Sequence, residues 1–368
     1  MQYPLVPCYI FNEEEFIKNF NNFVSCFQSI YPNYRISYSY KTNYTPYICK
    51  LVKELNGYAE VVSEMEYNLA KRIGYNDDKI IFNGPNKEIF PNCILNVDSI
   101  DEISKTTGRI GLRVNVDVGQ GFVSRFGIDP DDLDQAFALA KDRIVGLHCH
   151  ISQARSLEAW KKRAEFMLSL ADKYFGSNGP EYIDLGSGMF ADMPDKLKEQ
   201  FSNIPSYKDY AEVTARLFAD HYKGEHKPIL FTEPGTTLVS RYISFVCKVE
   251  NIKQLRGETF VIVNGSKHNL GEICELKELP VTIISNGNKK EKVNKAKIVG
   301  YTCLEHDVLR KNFSEELALG DYLLFENCGG YSLVSKPPFI RPNCAMITEK
   351  GMIIKRQETD KEIFATYE

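Results

Sequence analysis

Residues 38–44 read Tyr-Ser-Tyr-Lys-Thr-Asn-Tyr, YSYKTNY, and place Lys41 at the end of a strand-like run in which Ile36, Tyr38 and Tyr40 share one face. A lysine ammonium is seldom buried without a partner. One reading lets Lys41 snorkel to solvent while Thr42, Asn43 and Pro46 open an ordinary loop. The other holds it in a pocket, deprotonated and bonded to something. The lysine alone does not separate the two, so the rest of the chain must.

From about residue 30 to 240, short β-rich runs alternate with amphipathic helical patterns. Strands are expected at 35–40, 58–62, 80–82, 94–97, 110–116, 144–148, 182–185 and 229–232, with helices at 46–55, 64–73, 131–141, 157–174 and 206–221. Eight such strands with intervening helices predict a parallel (β/α)8 TIM barrel. After Ser240 the texture becomes short strands and turns, at 243–249, 259–263, 281–284, 297–301, 321–325 and 344–348. NGNKK at 286–290 reads as a hairpin tip. The fold class is therefore α/β plus all-β: a barrel over 31–242 and a β-sandwich or β-barrel domain over 243–368. An opening strand at 3–10 and a helix, together residues 1–30, are expected to associate with the β domain.

Composition narrows the partners. The net charge of -4 gives no basic stripe for nucleic acid. No apolar run approaches a membrane span, and the N-terminus has no basic region followed by an apolar stretch. Ten cysteines with no CxxC and no zinc spacing read as free thiols of a cytoplasmic protein, and no metal site is expected.

In a (β/α)8 barrel the chemistry gathers where strands end. Those places hold Lys41, Glu60 and Ser63, Arg113, His148-Cys149-His150, Asp184-Leu-Gly-Ser-Gly188 and Glu233-Pro-Gly235. Each has a bland explanation: a satisfied histidine, a turn, a surface carboxylate, a structural ion pair for Arg113. Together they are coherent. Gly186 and Gly188 can offer backbone N–H groups to an anion. His148 and His150 alternate, so only one is expected to face the mouth. A lysine, a flat imidazole, a phosphate loop and a carboxylate fit pyridoxal 5′-phosphate, with Lys41 forming the Schiff base, Glu233 keeping the pyridine nitrogen protonated and Arg113 contacting the cofactor as the alternative to its ion pair.

In order along the chain, YSYKTNY, YAEVVSEME, NGPNK, LRVN, SRFG, HCHIS, EPG, YTCLEHDVL and ENCGGYS resemble the fold type III (alanine-racemase-like) pyridoxal-phosphate enzymes. The match is to the ornithine/diaminopimelate/arginine decarboxylase branch, and it runs along nearly the whole chain. The resemblance implies Lys41 as the Schiff-base residue, Glu60 and Glu66 as its acidic positions, and His150 as the ring stacked on the cofactor. It also implies Glu233 on the pyridine nitrogen, with Gly186, Ser187, Gly188, Gly235, Thr236 and Tyr331 around the phosphate. Cys303 would come from the partner subunit of a head-to-tail homodimer and protonate Cα after CO2 leaves. Glu305, Asp307 and Tyr331 are candidates for the substrate's distal group.

Departures fall on specificity. His150-Ile-Ser-Gln153 stands for the usual His-Ile-Gly-Ser-Gln, Thr236 stands for an arginine, and Leu304 for an acid. A Cys-Leu pair and a missing arginine after Glu-Pro-Gly are features of carboxynorspermidine decarboxylases, although those usually lack HxHI. The expected activity is decarboxylation of an amino acid with a second amino or polar group, such as diaminopimelate, ornithine or lysine. The alternatives are a carboxynorspermidine decarboxylase-like enzyme, an amino-acid racemase or epimerase needing a second base opposite Lys41, and a non-catalytic regulator.

Overall fold

The computed structural model describes residues 5–367, apart from the side chain of Lys141; Tyr3 and Pro4 of the expected opening strand lie outside the described residues. The chain divides into two compact units. One holds Lys18–Phe190 and Asn203–Thr237; the other holds the described residues up to Ile17, Ala191–Ser202 and the chain from Leu238 onward.

The second unit begins with β1 (Cys8–Phe11), and the helix Glu13–Gln28 then carries the chain into the first. The first unit is a closed barrel of eight parallel strands: β2 (Tyr34–Ser39), β3 (Tyr58–Val61), β4 (Ile80–Phe82), β5 (Ile94–Val97), β6 (Ile110–Arg113), β7 (Ile144–His148), β8 (Tyr182–Asp184) and β9 (Ile229–Thr232). β9 pairs back onto β2 through Tyr34↔Leu230 and Ile36↔Thr232. The expected barrel strands are all present: four match at both ends, and β2, β3 and β8 differ by one residue. β6 loses more, because Asn115 turns away to donate to the carbonyls of Ser124 and Phe126 at 2.7 and 2.8 Å.

The barrel floor is aromatic. Tyr58, Ile81, Tyr182 and Phe231 form one buried cluster, with Tyr58 and Phe231 edge to face at 4.9 Å between centroids. Two strands give way to the Tyr182 ring: a Cβ on Gly146 would lie 2.1 Å from its Cζ, and one on Gly111 2.1 Å from its hydroxyl oxygen. Outside, Ser156 and Ser206 cap the helices Leu157–Phe175 and Tyr207–His221, and Gly74 ends the helix Glu64–Ile73 at φ +91°.

In the other unit β10 (Ile243–Leu255) is the spine. Its first half pairs with β1 and with a strand at Tyr322–Phe325, and its second half with β11 (Glu258–Val263). β10 runs six residues past its expected end because Arg256 and Gly257, at φ +51° and +83°, close a two-residue hairpin. Its last residues are mostly exposed, and backbone pairing rather than burial fixes them as strand. The hairpin expected at 286–290 is not formed. Val281–Ile284 pairs with Tyr322–Phe325, and Glu291–Lys292 pairs with Glu316–Leu317, so the strands flanking the loop do not pair with each other. Asn286 instead caps a turn by accepting the Asn288 N–H at 2.9 Å. Among the described residues no helix is long and apolar enough to cross a membrane.

Glu66, in the first turn of helix Glu64–Ile73, accepts the Val62 N–H at 2.8 Å and donates its own N–H to Ser63 Oγ. Burial pushes its carboxyl up to about 7 from 4.5. The folded state thus holds this proton more tightly than the unfolded chain. The stabilisation is fully present below about pH 4.5 and lost as pH rises through about 7. Glu66→Gln, which keeps the acceptor and removes the titration, should match wild type in denaturant melts at pH 5. At pH 8.5 it should exceed wild type by on the order of 3 kcal/mol; an equal difference at both pH values would contradict this origin.

Candidate active site

Parallel strands bring their carboxyl ends to one rim. β2 ends at Ser39, and one 3-10 turn, Tyr40–Thr42, carries Lys41 beyond it. Ser39 stands in register opposite Glu60 of β3. Lys41 Nζ is ion-paired with Glu60 Oε2 and lies 3.2 Å from Ser39 Oγ. Ser39 donates to the same carboxylate oxygen at 2.5 Å. Lys41 therefore does not snorkel; its side chain keeps 29% of its surface and meets a carboxylate that keeps 1%.

Glu233 follows β9 and is fully buried. Its backbone N–H is fixed by the Gly186 carbonyl at 2.8 Å. Its carboxylate meets His148 Nε2 at 3.3 Å, His150 Nδ1 at 3.2 Å and the Asn83 side-chain amide. Burial alone would raise its pKa, but the two imidazoles outweigh that and hold Glu233 well below the usual carboxylate range. Asp184 moves the other way. Burial first, and then the negative charge of Glu233, push it well above that range. Its Oδ1 accepts the Gly186 N–H at 2.8 Å, while Oδ2 has no hydrogen-bond partner among the described residues. The two neighbouring acids are thus shifted in opposite directions, Glu233 toward the anion and Asp184 toward the neutral carboxyl. Burial also pushes His150 down to about 4, so its ring is neutral at pH 7. His148, Asp184 and Glu233 bring one potential ligand atom each within 4.8 Å of one another, a grouping that spacing along the sequence did not reveal.

One expectation fails here. His148 and His150 were to face opposite sides, yet both reach Glu233. β7 ends at His148, and the chain beyond it is no longer an extended strand, so the period-two rule does not carry to His150. The glycine loop is also built differently from the reading. The Gly186 N–H is occupied by Asp184, and the Ser187 N–H points at His150 Nδ1 at 3.4 Å. Gly186 and Gly188, at φ +63° and +101°, let the loop approach the strand-7 extension; a Cβ would lie 2.5 Å from the Cys149 carbonyl and 2.4 Å from the Ile151 carbonyl. Gly235 is pressed against Thr42 and Ser39 in the same way, and Thr236 opens the short helix Thr236–Val239.

Arg113 pairs with Asp98 at 2.8 Å and lies over the Phe126 ring, which is the structural ion pair weighed against a cofactor contact. Cys303, Glu305, Asp307 and Tyr331 belong to the other unit. Cys303 is the exposed thiol among the ten cysteines. Glu305 is exposed, and Tyr331 is half-buried at φ +52°. Asp307 is buried and ties its own loop to the turn at 266–267, accepting from Ser266 and Lys267 on Oδ1 and from Thr302 on Oδ2.

Three further residues enter the site: Ser39, Asn83 and Arg163. The fully buried Arg163 guanidinium donates to the carbonyls of Leu185 and Ser187 at 2.8 Å and of Ile151 at 3.0 Å, clamping both loops. Its signal was present in the sequence as an arginine on the apolar stripe of Trp160, Ala164 and Met167.

The pyridoxal-dependent decarboxylase pyridoxal-binding domain family matches residues 14–240, and the pyridoxal-dependent decarboxylase C-terminal sheet domain family matches residues 185–329. The chain is 25% identical to the diaminopimelate decarboxylase of Aquifex aeolicus over 392 residues, covering 96% of this chain and 90% of the relative. It is 25% identical to that of Methanocaldococcus jannaschii over 405 residues, covering 98% and 90%. The crystal structure of the M. jannaschii diaminopimelate decarboxylase in complex with L-lysine has the same fold, with a TM-score of 0.84 at 24% identity, covering 98% of this chain and 92% of that one. With its barrel matched as a pyridoxal-binding domain and its sheet unit as the companion domain, the chain belongs to the pyridoxal-dependent decarboxylase family, whose members are amino-acid decarboxylases using pyridoxal phosphate.

Proposed function

We propose that the protein decarboxylates a diamino acid of the diaminopimelate type at a site built around Lys41 and Glu233. The observation that carries this reading is the buried Glu233, kept anionic by two imidazoles and an amide. An anion there suits a protonated ring nitrogen, where an arginine would suit a racemase. The donor set fits pyridoxal phosphate: an amine on Lys41, a neutral imidazole on His150 and the Glu233 carboxylate stand together at one rim. When bound, that cofactor supplies an electron sink for the pair left at Cα as CO2 departs.

The chain's own residues do the rest. Lys41 is the covalent anchor, and Glu60 with Ser39 holds its ammonium in place and can accept its proton. Glu233 holds a proton at the ring nitrogen. His150, uncharged, would cover one ring face, and His148 steadies Glu233. Ser187, Gly188, Gly235 and Thr236 would hold the phosphate, and Arg163 sets the loop that bears the first two. Cys303 returns the proton to Cα from a second copy in a head-to-tail homodimer; its exposure, against nine buried or half-buried cysteines, supports that role. The substrate class is supported by relatives that are diaminopimelate decarboxylases, and a cytoplasmic location by the free thiols.

CO2 release should be compared for meso-diaminopimelate, L-lysine, L-ornithine and carboxynorspermidine, with Lys41→Ala and borohydride trapping alongside. Release is expected from diaminopimelate, with the cofactor fixed by borohydride in wild type and not in Lys41→Ala. Faster release from carboxynorspermidine, which the Cys303-Leu304 pair favours, would overturn the substrate and leave the decarboxylase. Mixing inactive Lys41→Ala with inactive Cys303→Ala should restore activity, up to about a quarter of wild type for random reassortment into two-site dimers. No restoration would mean that each copy completes its own site.

A further inference from the structure

A line of buried polar side chains crosses the barrel beneath the site. Tyr182, Asn96, Asn83, Glu60 and Glu233 each keep 5% or less of their surface. The Tyr182 hydroxyl donates to Asn96 Oδ1 at 2.7 Å, and Asn96 Nδ2 donates to Asn83 Oδ1 at 2.8 Å. Asn83 Nδ2 then donates to Glu60 Oε1 at 3.2 Å and to Glu233 Oε1. These residues come from β8, β5, the turn after β4, β3 and the turn after β9, so no local sequence pattern places them together.

The direction of this line is set from its carboxylate end, and the Tyr182 phenol, which burial holds well above its ordinary pKa, keeps its proton and can meet it as a donor. A carboxylate can only accept. Between these ends each amide has one orientation: Asn96 must turn its oxygen to Tyr182, and Asn83 must turn its oxygen to Asn96 and both amide hydrogens to the two acids. The remaining oxygens face the chemistry. Glu60 Oε2 takes Lys41 and Ser39, and Glu233 Oε2 takes His150.

We propose that Asn83 is a positioning residue that fixes the lysine-side and ring-nitrogen-side carboxylates, Glu60 and Glu233, at one spacing and orientation, with Tyr182 and Asn96 as its orienting arm. This rests on the roles given above to Lys41, Glu60 and Glu233. Asn83 touches none of the reacting atoms; it acts through the two acids. Tyr182 acts at two removes, from a seat that Gly111 and Gly146 leave open for it. A buried amide network in which every member is satisfied gives a single arrangement, and a partly satisfied one does not.

The test compares Asn83→Ala, Asn83→Asp, Tyr182→Phe and the double variant Asn83→Ala/Tyr182→Phe. It reads pyridoxal phosphate affinity of the stripped protein, the pH dependence of the bound cofactor's absorption band, kcat and KM. Asn83→Ala should weaken cofactor binding about 10-fold and lower kcat by about 100-fold with KM little changed. Asn83→Asp, a third acid in the same place, should do no better. Tyr182→Phe, far from the reacting atoms and nearly isosteric, should shift the absorption band's pH dependence in the same direction with a smaller loss of kcat, about 3- to 10-fold. The double variant should be no worse than Asn83→Ala, because the phenol acts only through Asn83. Additive losses, or a wild-type pH dependence in Tyr182→Phe, would overturn the proposal; Tyr182→Phe keeps it testable if Asn83→Ala does not fold. Glu233→Gln separates the two failures. If it is inactive while the Asn83 and Tyr182 variants behave as wild type, only the positioning role falls; if it is fully active, the reading of Glu233 falls as well.

Discussion

A carboxylate with no water around it must be given its partners by the fold, or it takes up a proton. Glu233 is that carboxylate, and the barrel rim is organised around keeping it charged. His148 and His150 arrive from the end of β7, Asn83 from the end of β4, and Gly186 from the end of β8 to hold its backbone. Asp184, one strand over, is pushed up by burial and by the charge of Glu233, while the imidazoles pull Glu233 down.

Parallel closure makes this possible. A barrel whose strands all end on one rim gathers side chains as far apart in the chain as Asn83 and Glu233, 150 positions, into hydrogen-bond contact. The floor beneath is filled by Tyr58, Tyr182 and Phe231, and glycines at 111 and 146 set the depth at which the Tyr182 ring lies. The same tyrosine thus packs the core with its ring and directs a polar line with its hydroxyl. Around the rim, the tight approach of the loop at 186–188 to the extension of β7 is permitted by glycine, and it is clamped from below by an arginine whose partners are all carbonyls.

Much of this was legible in the chain. The alternation of short apolar runs with 3.6-period segments gave the eight strands, and reading only their ends found Lys41, Glu60, His150 and Glu233. Three kinds of feature were not legible, each for a physical reason. The second half of β10 is mostly exposed and its few apolar residues do not alternate, so hydrophobic periodicity passes over it while backbone pairing to β11 defines it. The histidine pair was assigned opposite faces because alternation holds only inside a strand, and His150 lies beyond the last strand residue. Asn83, Asn96 and Tyr182 are unremarkable singly, since an amide or phenol acquires its role from the neighbour it faces. The bonds by which Asp307 joins its own loop to the turn at 266–267 were likewise hidden, because they link positions 41 and 40 residues apart.

The central claim is that Glu233 remains an anion and thereby keeps a proton on the cofactor's ring nitrogen. Nitrogen-15 NMR of the holoenzyme loaded with pyridoxal phosphate labelled at that nitrogen reads the protonation state directly. The account predicts a protonated, pyridinium-like shift in wild type at neutral pH and an unprotonated, pyridine-like shift in Glu233→Gln. A pyridine-like shift in wild type, or no difference between the two proteins, would contradict it.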